Sequence, residues 1–298
     1  MHAGAMLDFR AVKLPPFEYA SPETLDAAIA LLASAPGRAK AIAGGQSLVP
    51  VLAFRLAAPE LLVDLCRIPA LDRIDISATG VRLGARVRWC DIEDDARLAT
   101  AHPLLVAGTA HVAHYAIRNR GTVGGSLAHA DPAAELPGIA VACDAHVEIR
   151  GTKGARRVPA AAFFTGALST VLADDELVTA LELPPWPAAG RRWGFEEFAQ
   201  RRGDFALAGI AAYYDVDAAG RAVNAHVGVI GACHRPHRLP RAEAALNGHV
   251  PDSGTLAAAG RAAAAEIEPQ SDLHASAAYR RSLVATMLER ALSGAKPA

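Results

Sequence analysis

The sequence predicts an α+β chain of two domains, the first of them built in two lobes. Three observations carry that expectation. Short apolar strand-like runs alternate with helical periodicity up to Leu183. A proline-dense break, Pro184-Pro185-Trp186-Pro187-Ala188-Ala189-Gly190, then stops regular structure. Beyond it the order changes to strands followed by helices. The expected division is 5–183 and 191–298, with lobe one at about 5–60 and lobe two at about 61–183.

Taken in order, Ser21-Pro22-Glu23 reads as a helix start, with Ser21 as cap. Leu25, Ala28, Ile29 and Leu32 follow at helical spacing, and Pro36-Gly37 ends that helix. Lys40 to Ala43 and Leu61 to Asp64 read as short strands on either side of a glycine turn, completing a small α/β unit. In a second unit, Val81 to Val87 alternates as a strand and His102 to Arg118 contains a helix. Asp131-Pro132 opens another helix, with Asp131 as its cap or as a group near a ligand. A hairpin spans His146 to Arg150 and Arg156 to Val158 around Lys153-Gly154, and Leu177 to Leu183 is a strand. After the break, Phe205 to Tyr214 and Val223 to Ile230 read as strands joined at Asp217 to Gly220. Two helices, roughly Thr255 to Glu266 and Ala275 to Leu292, follow.

Composition narrows the function. The 298 residues are 52% apolar and 20% charged, which fits a soluble globular protein. The net charge of −1 leaves no basic footprint for nucleic acid, and 5% aromatics offer few stacking platforms. Met1 to Met6 contains no apolar signal core, and no run of 18 apolar residues could span a membrane, so the cytoplasm is the expected compartment. Cys66, Cys90, Cys143 and Cys233 lie more than 20 residues from one another and read as buried thiols rather than metal ligands. His111 and His114 sit three apart, and Cys233, His234 and His237 cluster near Pro236. Neither set has a carboxylate beside it in sequence, so both read as structural, and no metal site is expected.

The candidate ligand site lies in two glycine-pair loops about 80 residues apart, each closed by a serine. They are Ala43-Gly44-Gly45-Gln46-Ser47-Leu48 and Thr122-Val123-Gly124-Gly125-Ser126. Glycine lets backbone lie directly against a ligand, and successive amides beside a hydroxyl form a concave anion site. Two such loops suggest a clamp on a diphosphate. No G-x-G-x-x-G, Walker A, G-x-S-x-G or H-E-x-x-H motif occurs, so the clamp needs a scaffold other than a Rossmann or P-loop fold.

With their neighbours the loops resemble the FAD-binding medium subunit of the molybdenum hydroxylases, the carbon-monoxide dehydrogenase and xanthine dehydrogenase group. The likeness rests on Ala43 to Leu48, on the long run Ile117 to Glu135, on Arg201-Arg202-Gly203-Asp204-Phe205-Ala206, and on Tyr279-Arg280-Arg281-Ser282-Leu283. It implies a two-lobed FAD-binding domain of PCMH type and a smaller α+β C-terminal domain. It also implies non-covalent FAD held by Ala43, Gly44, Gly45, Gln46, Ser47, Leu48, Thr122, Val123, Gly124, Gly125 and Ser126, with Asp131 and Glu135 nearby. Family members usually place aspartate at the position of Glu135. Some relatives carry a lysine before the Arg-Arg pair, where this chain has Glu196-Glu197, which removes a positive charge expected near the flavin. His129, Arg118, Arg120, Arg201, Arg202 and Asp204 read either as neighbours of the cofactor or as structural ties.

The function so implied is electron transfer through FAD within a hetero-oligomer, with [2Fe-2S] clusters and molybdopterin on small and large partner subunits. No catalytic acid, base or nucleophile is required of this chain. The alternative is a self-sufficient flavin-dependent oxidoreductase acting on its own small-molecule substrate.

Overall fold

A computed structural model describes residues 14–187 and 189–297. The expectations for Met1 to Met6, for a domain start at residue 5 and for Ala188 lie outside the described residues.

The first lobe is a three-stranded parallel sheet with Leu61–Asp64 between Glu18–Ala20 and Ala39–Ile42. The Leu25–Ser34 helix covers it through Ala28, Ile29 and Leu32. Its cap is Thr24, whose side chain accepts from the Ala27 amide at 3.2 Å, so the helix starts three residues after the expected Ser21. Because Leu61–Asp64 is the central strand of this sheet, lobe one runs past the expected boundary at 60. A parallel strand pairs across a crossover, and the division by sequence position cut that unit.

The second lobe is an antiparallel sheet in the order Ile74–Ser77, Gly80–Gly84, Leu177–Leu183, His146–Gly151, Gly154–Pro159. Leu177–Leu183 lies at its centre with six of seven residues buried. The hairpin closes with Gly151 opposite Gly154, so Thr152-Lys153 is a two-residue turn.

The C-terminal sheet has the order His237–Arg238, Ala222–Ile230, Ala208–Val216, Arg191–Phe198, Lys296–Pro297. Its strands alternate between two cores. Ala211 and Tyr213 join the core of the first domain, whereas Ala208, Ile210, Ala212 and Tyr214 pack toward the Ser253–Glu266 and Ala277–Ser293 helices. A strand covered on both faces reads as one unbroken apolar run, which is why Ala208 to Tyr214 shows no alternation in sequence. On its inner face this sheet meets the Glu135–Ala142 helix, all eight residues of which are buried. Sequence reading missed the Arg191–Phe198 strand and the Pro240–Leu246 helix.

Of the cysteines, Cys90 and Cys143 are buried as expected and Cys233 is partly buried, whereas Cys66 is exposed beside Ser21, contrary to the expectation for it. Among the described residues no helix is long and apolar enough to cross a membrane, and no group of three His, Cys, Asp or Glu is placed to hold a metal ion.

Candidate functional site

A cavity of about 1480 Å³ runs between the two lobes and the C-terminal domain. Both expected loops open onto it. Ala43, Gln46, Ser47 and Leu48 line it from the first lobe, and Thr122, Gly125, Ser126, Asp131 and Glu135 from the second. Gly44, Gly45, Val123 and Gly124 stand behind that wall, where the protein's own packing explains them.

The first loop leaves the Ala39–Ile42 strand and enters the Leu48–Ala53 helix. Gly45 takes φ +71°, which an L side chain rarely adopts. A Cβ on Gly44 would lie 2.0 Å from the Arg120 carbonyl oxygen, so this loop rests directly on the backbone that leads into the second. Among the described residues, no acceptor in the chain meets the amides of Gly44, Gly45, Gln46, Ser47 and Leu48. The Ser47 hydroxyl, at the cap position, makes no cap hydrogen bond either. Consecutive unpaired amides and a hydroxyl beside a cavity are the donor set that an anion-binding concavity requires.

The second glycine pair is not a loop. It forms the first turn of the Val123–His129 helix, with Thr122 as cap. Its amides are engaged: Val123 donates to Val87 O at 2.9 Å, Gly124 to Ala85 O at 2.8 Å, Gly125 to Thr122 Oγ1 at 3.2 Å and Ser126 to Thr122 O at 3.0 Å. A Cβ on Gly124 would come within 2.6 Å of the Ala85 Cβ, so that glycine serves helix-to-strand packing. The symmetrical clamp expected from sequence is therefore lopsided. One side offers amide donors, and the other offers shape and the Ser126 hydroxyl.

Asp131 does not cap a helix. Its Oδ1 accepts from the Ala133 amide at 2.9 Å within a turn, and the next helix begins at Glu135 after Ala134. Pro132 O accepts from the Gly231 amide at 2.8 Å and ties this turn to the C-terminal domain. Glu135 is 9% exposed. Burial, aided by Asp131, pushes its carboxyl up to about 7.

Of the remaining candidates, Arg118 is structural, bonded to Glu93 at 2.8 Å and to the carbonyls of Val112 and Ala113. His129 and Asp204 line the cavity, whereas Arg201 and Arg202 are exposed and do not line it. His111 packs on the Phe195 ring, centroids 4.9 Å apart, and His114 stands before a separate short helix. Arg280, buried in the C-terminal domain, reaches the wall while donating to Leu207 O, Gly231 O and Asp272 Oδ2. Sequence reading missed two further wall residues, Leu168 and Phe205. Leu168 takes φ +54° at a hairpin tip, and both are large exposed hydrophobics, a property that depends on tertiary placement.

Comparisons with known proteins follow this geometry. Residues 15–186 match the FAD binding domain in molybdopterin dehydrogenase, and residues 193–295 match the CO dehydrogenase flavoprotein C-terminal domain. The nicotine 6-hydroxylase medium subunit of Paenarthrobacter nicotinovorans is 40% identical over 281 residues, covering 94% of this chain and 98% of that one. The carbon monoxide dehydrogenase medium chain of Hydrogenophaga pseudoflava is 34% identical, covering 94% and 97%. Among solved structures, quinoline 2-oxidoreductase from Pseudomonas putida 86 superposes with a TM-score of 0.90 at 40% identity, covering 94% of this chain and 97% of that chain. The chain thus belongs to the FAD-binding flavoprotein, or medium-subunit, family of the molybdenum hydroxylases, a family of oxidoreductases.

Proposed function

We propose that this chain binds FAD non-covalently and carries electrons for a hetero-oligomeric, cytoplasmic molybdenum hydroxylase. In this assembly a small subunit bears [2Fe-2S] clusters and a large subunit bears molybdopterin. One observation above all supports the reading: among the described residues the amides of Gly44 to Leu48 are five in a row without a partner, and Gln46, Ser47 and Leu48 line a cavity of about 1480 Å³. That volume exceeds the roughly 300–1,000 Å³ usual for small-ligand pockets and suits an extended dinucleotide.

The residues present fit the group. Gly44 to Leu48 would donate to the diphosphate oxygens, with Ser47 and Ser126 adding hydroxyls. Each bond to a charged acceptor is worth about 1.5–3 kcal/mol. Leu48, Val51, Ile117 and Leu172 supply apolar wall, and Glu135 stands as an acceptor for ligand hydroxyls. Bound FAD supplies both one- and two-electron redox chemistry, so it can link single-electron carriers to a two-electron acceptor. The chain supplies position, shelter from water and local charge.

The relatives are subunits of larger enzymes by their names, which favours this reading over a self-sufficient oxidoreductase. The test is to express the chain, denature it and assay the supernatant for FAD. A colourless protein that also ignores added FAD would refute the proposal. Co-expression with its partner genes should recover a ternary complex.

A further inference from the structure

Two carboxylic acids lie on elements that pack together at the cavity wall, and among the described residues neither is paired with a cation. Glu197 lies on the Arg191–Phe198 strand, on the same face as Trp193 and Phe195. Phe195 and Ile139 both press on the site of Gly108, so this face abuts the Glu135–Ala142 helix. The neighbouring strands close the gap. Ile230 touches the sites of both Gly209, opposite Glu197, and Gly138, one turn along the helix from Glu135. Glu197 Oε2 is buried and, among the described residues, has no hydrogen-bond partner. Glu135 is the more enclosed of the two and forms part of the cavity wall.

The titratable groups on surrounding elements do not relieve this. Asp131 adds like charge from the turn, and Glu196 stands next along the strand. His111 is taken up against Phe195, and His129 ends the preceding helix. Across the cavity are Asp204, His234, Asp272 and Arg280, and Arg280 is held by Asp272 and two carbonyls. An unpaired buried carboxylate is costly, and two together cost more, so one of the pair keeps its proton.

We propose that Glu135 and Glu197 together carry one proton, and that FAD binding draws a second proton onto the pair. The inference rests on the proposed function. A ligand seated in the cavity removes the last water from Glu135. If that ligand is a diphosphate, it also adds negative charge. Both effects favour the protonated acid. Burial already pushes Glu135 up to about 7 and, with Glu135 beside it, Glu197 up to about 8, so uptake falls within an accessible range.

The experiment is an FAD titration of the isolated chain from about pH 6 to about pH 9, run in two buffers of different ionisation enthalpy. Above about pH 7 the apparent Kd should rise by up to about tenfold per pH unit, and the calorimetric difference should report proton uptake. Glu135→Gln should flatten the profile. Glu197→Gln should leave the break in that profile near pH 7, where burial and Asp131 set it, and should cap proton uptake at one per FAD above about pH 8, where wild type takes up two, which loss of packing alone would not do. An infrared band of a protonated carboxylic acid, present in wild type and lost in Glu197→Gln, gives a readout free of ligand. A flat wild-type profile above pH 7, or proton release on binding, overturns the proposal while leaving FAD binding intact. Absence of FAD binding at every pH overturns the proposed function itself.

Discussion

Replacing Gly44 with alanine probes how the two halves of the site are spaced. The added Cβ would sit 2.0 Å from the Arg120 carbonyl oxygen and 2.6 Å from its carbonyl carbon, both fixed backbone atoms. Carbon–oxygen contacts settle at about 3.4 Å, so the two segments must part by roughly 1.4 Å. Such overpacking costs about 1–3 kcal/mol of stability. The larger effect falls on the ligand. Amides displaced by that distance leave the 2.7–3.2 Å range of useful hydrogen bonds. Losing two bonds to a charged acceptor, at about 1.5–3 kcal/mol each, raises the FAD Kd by about 10²- to 10⁴-fold. Titration followed by flavin fluorescence measures the affinity, and a urea midpoint measures the fold. Wild-type affinity in folded Gly44→Ala would refute the view that this backbone contact positions the amide run.

Gly125→Ala should behave differently. Its Cβ would meet only the Thr122 hydroxyl, at 2.8 Å, at a residue that lines the cavity. Stability should move by less than about 1 kcal/mol while FAD affinity falls roughly tenfold, read by thermal melt and titration. Apo-protein stability should fall as pH rises from about 4.5 to about 8, because folded Glu197 keeps a proton that the unfolded chain has released. Glu197→Gln removes that slope, so the variant should unfold later than wild type at pH 8 by about 1–3 kcal/mol in urea. Arg191 is 6% exposed, stacks between Trp186 and Tyr213 at 4.8 and 4.1 Å, and bonds Asp215 at 2.8 Å. Arg191→Ala should cost about 3–5 kcal/mol, and an unchanged urea midpoint would count against that interdomain stack.

Local signals were legible where local chemistry decides them. The Leu177–Leu183 strand and the hairpin at Thr152-Lys153 follow from apolar runs bounded by turn residues. The Ala43–Leu48 and Thr122–Ser126 segments were found because each sets adjacent glycines, which bring bare backbone to a surface, beside a serine. What sequence hid was geometry set at a distance. Nothing near Gly124 in sequence shows Ala85 pressing on it, so a helix turn read as a loop. Thr24 outcompeted Ser21 as a cap because only its side chain reaches the Ala27 amide. In sequence Glu197 stood out only as an acid where some relatives carry a lysine. Its burial depends on Gly209 and Ile230, which follow it by 12 and 33 residues. Leu61–Asp64 was recognised as a strand, but its place at the centre of the first sheet depends on partners on either side of a crossover.

The cavity wall has a temporal consequence for biosynthesis. Phe205, Gly231, Asp272 and Arg280 all contribute to it, yet the first amides of the site lie at Gly44. A nascent chain can fold its first lobe long before the pocket has a far side. Translation must pass Arg280, and the final sheet must dock, before a flavin could be enclosed. Cofactor loading would therefore come late in maturation, and premature release of a shortened chain would leave an open trough.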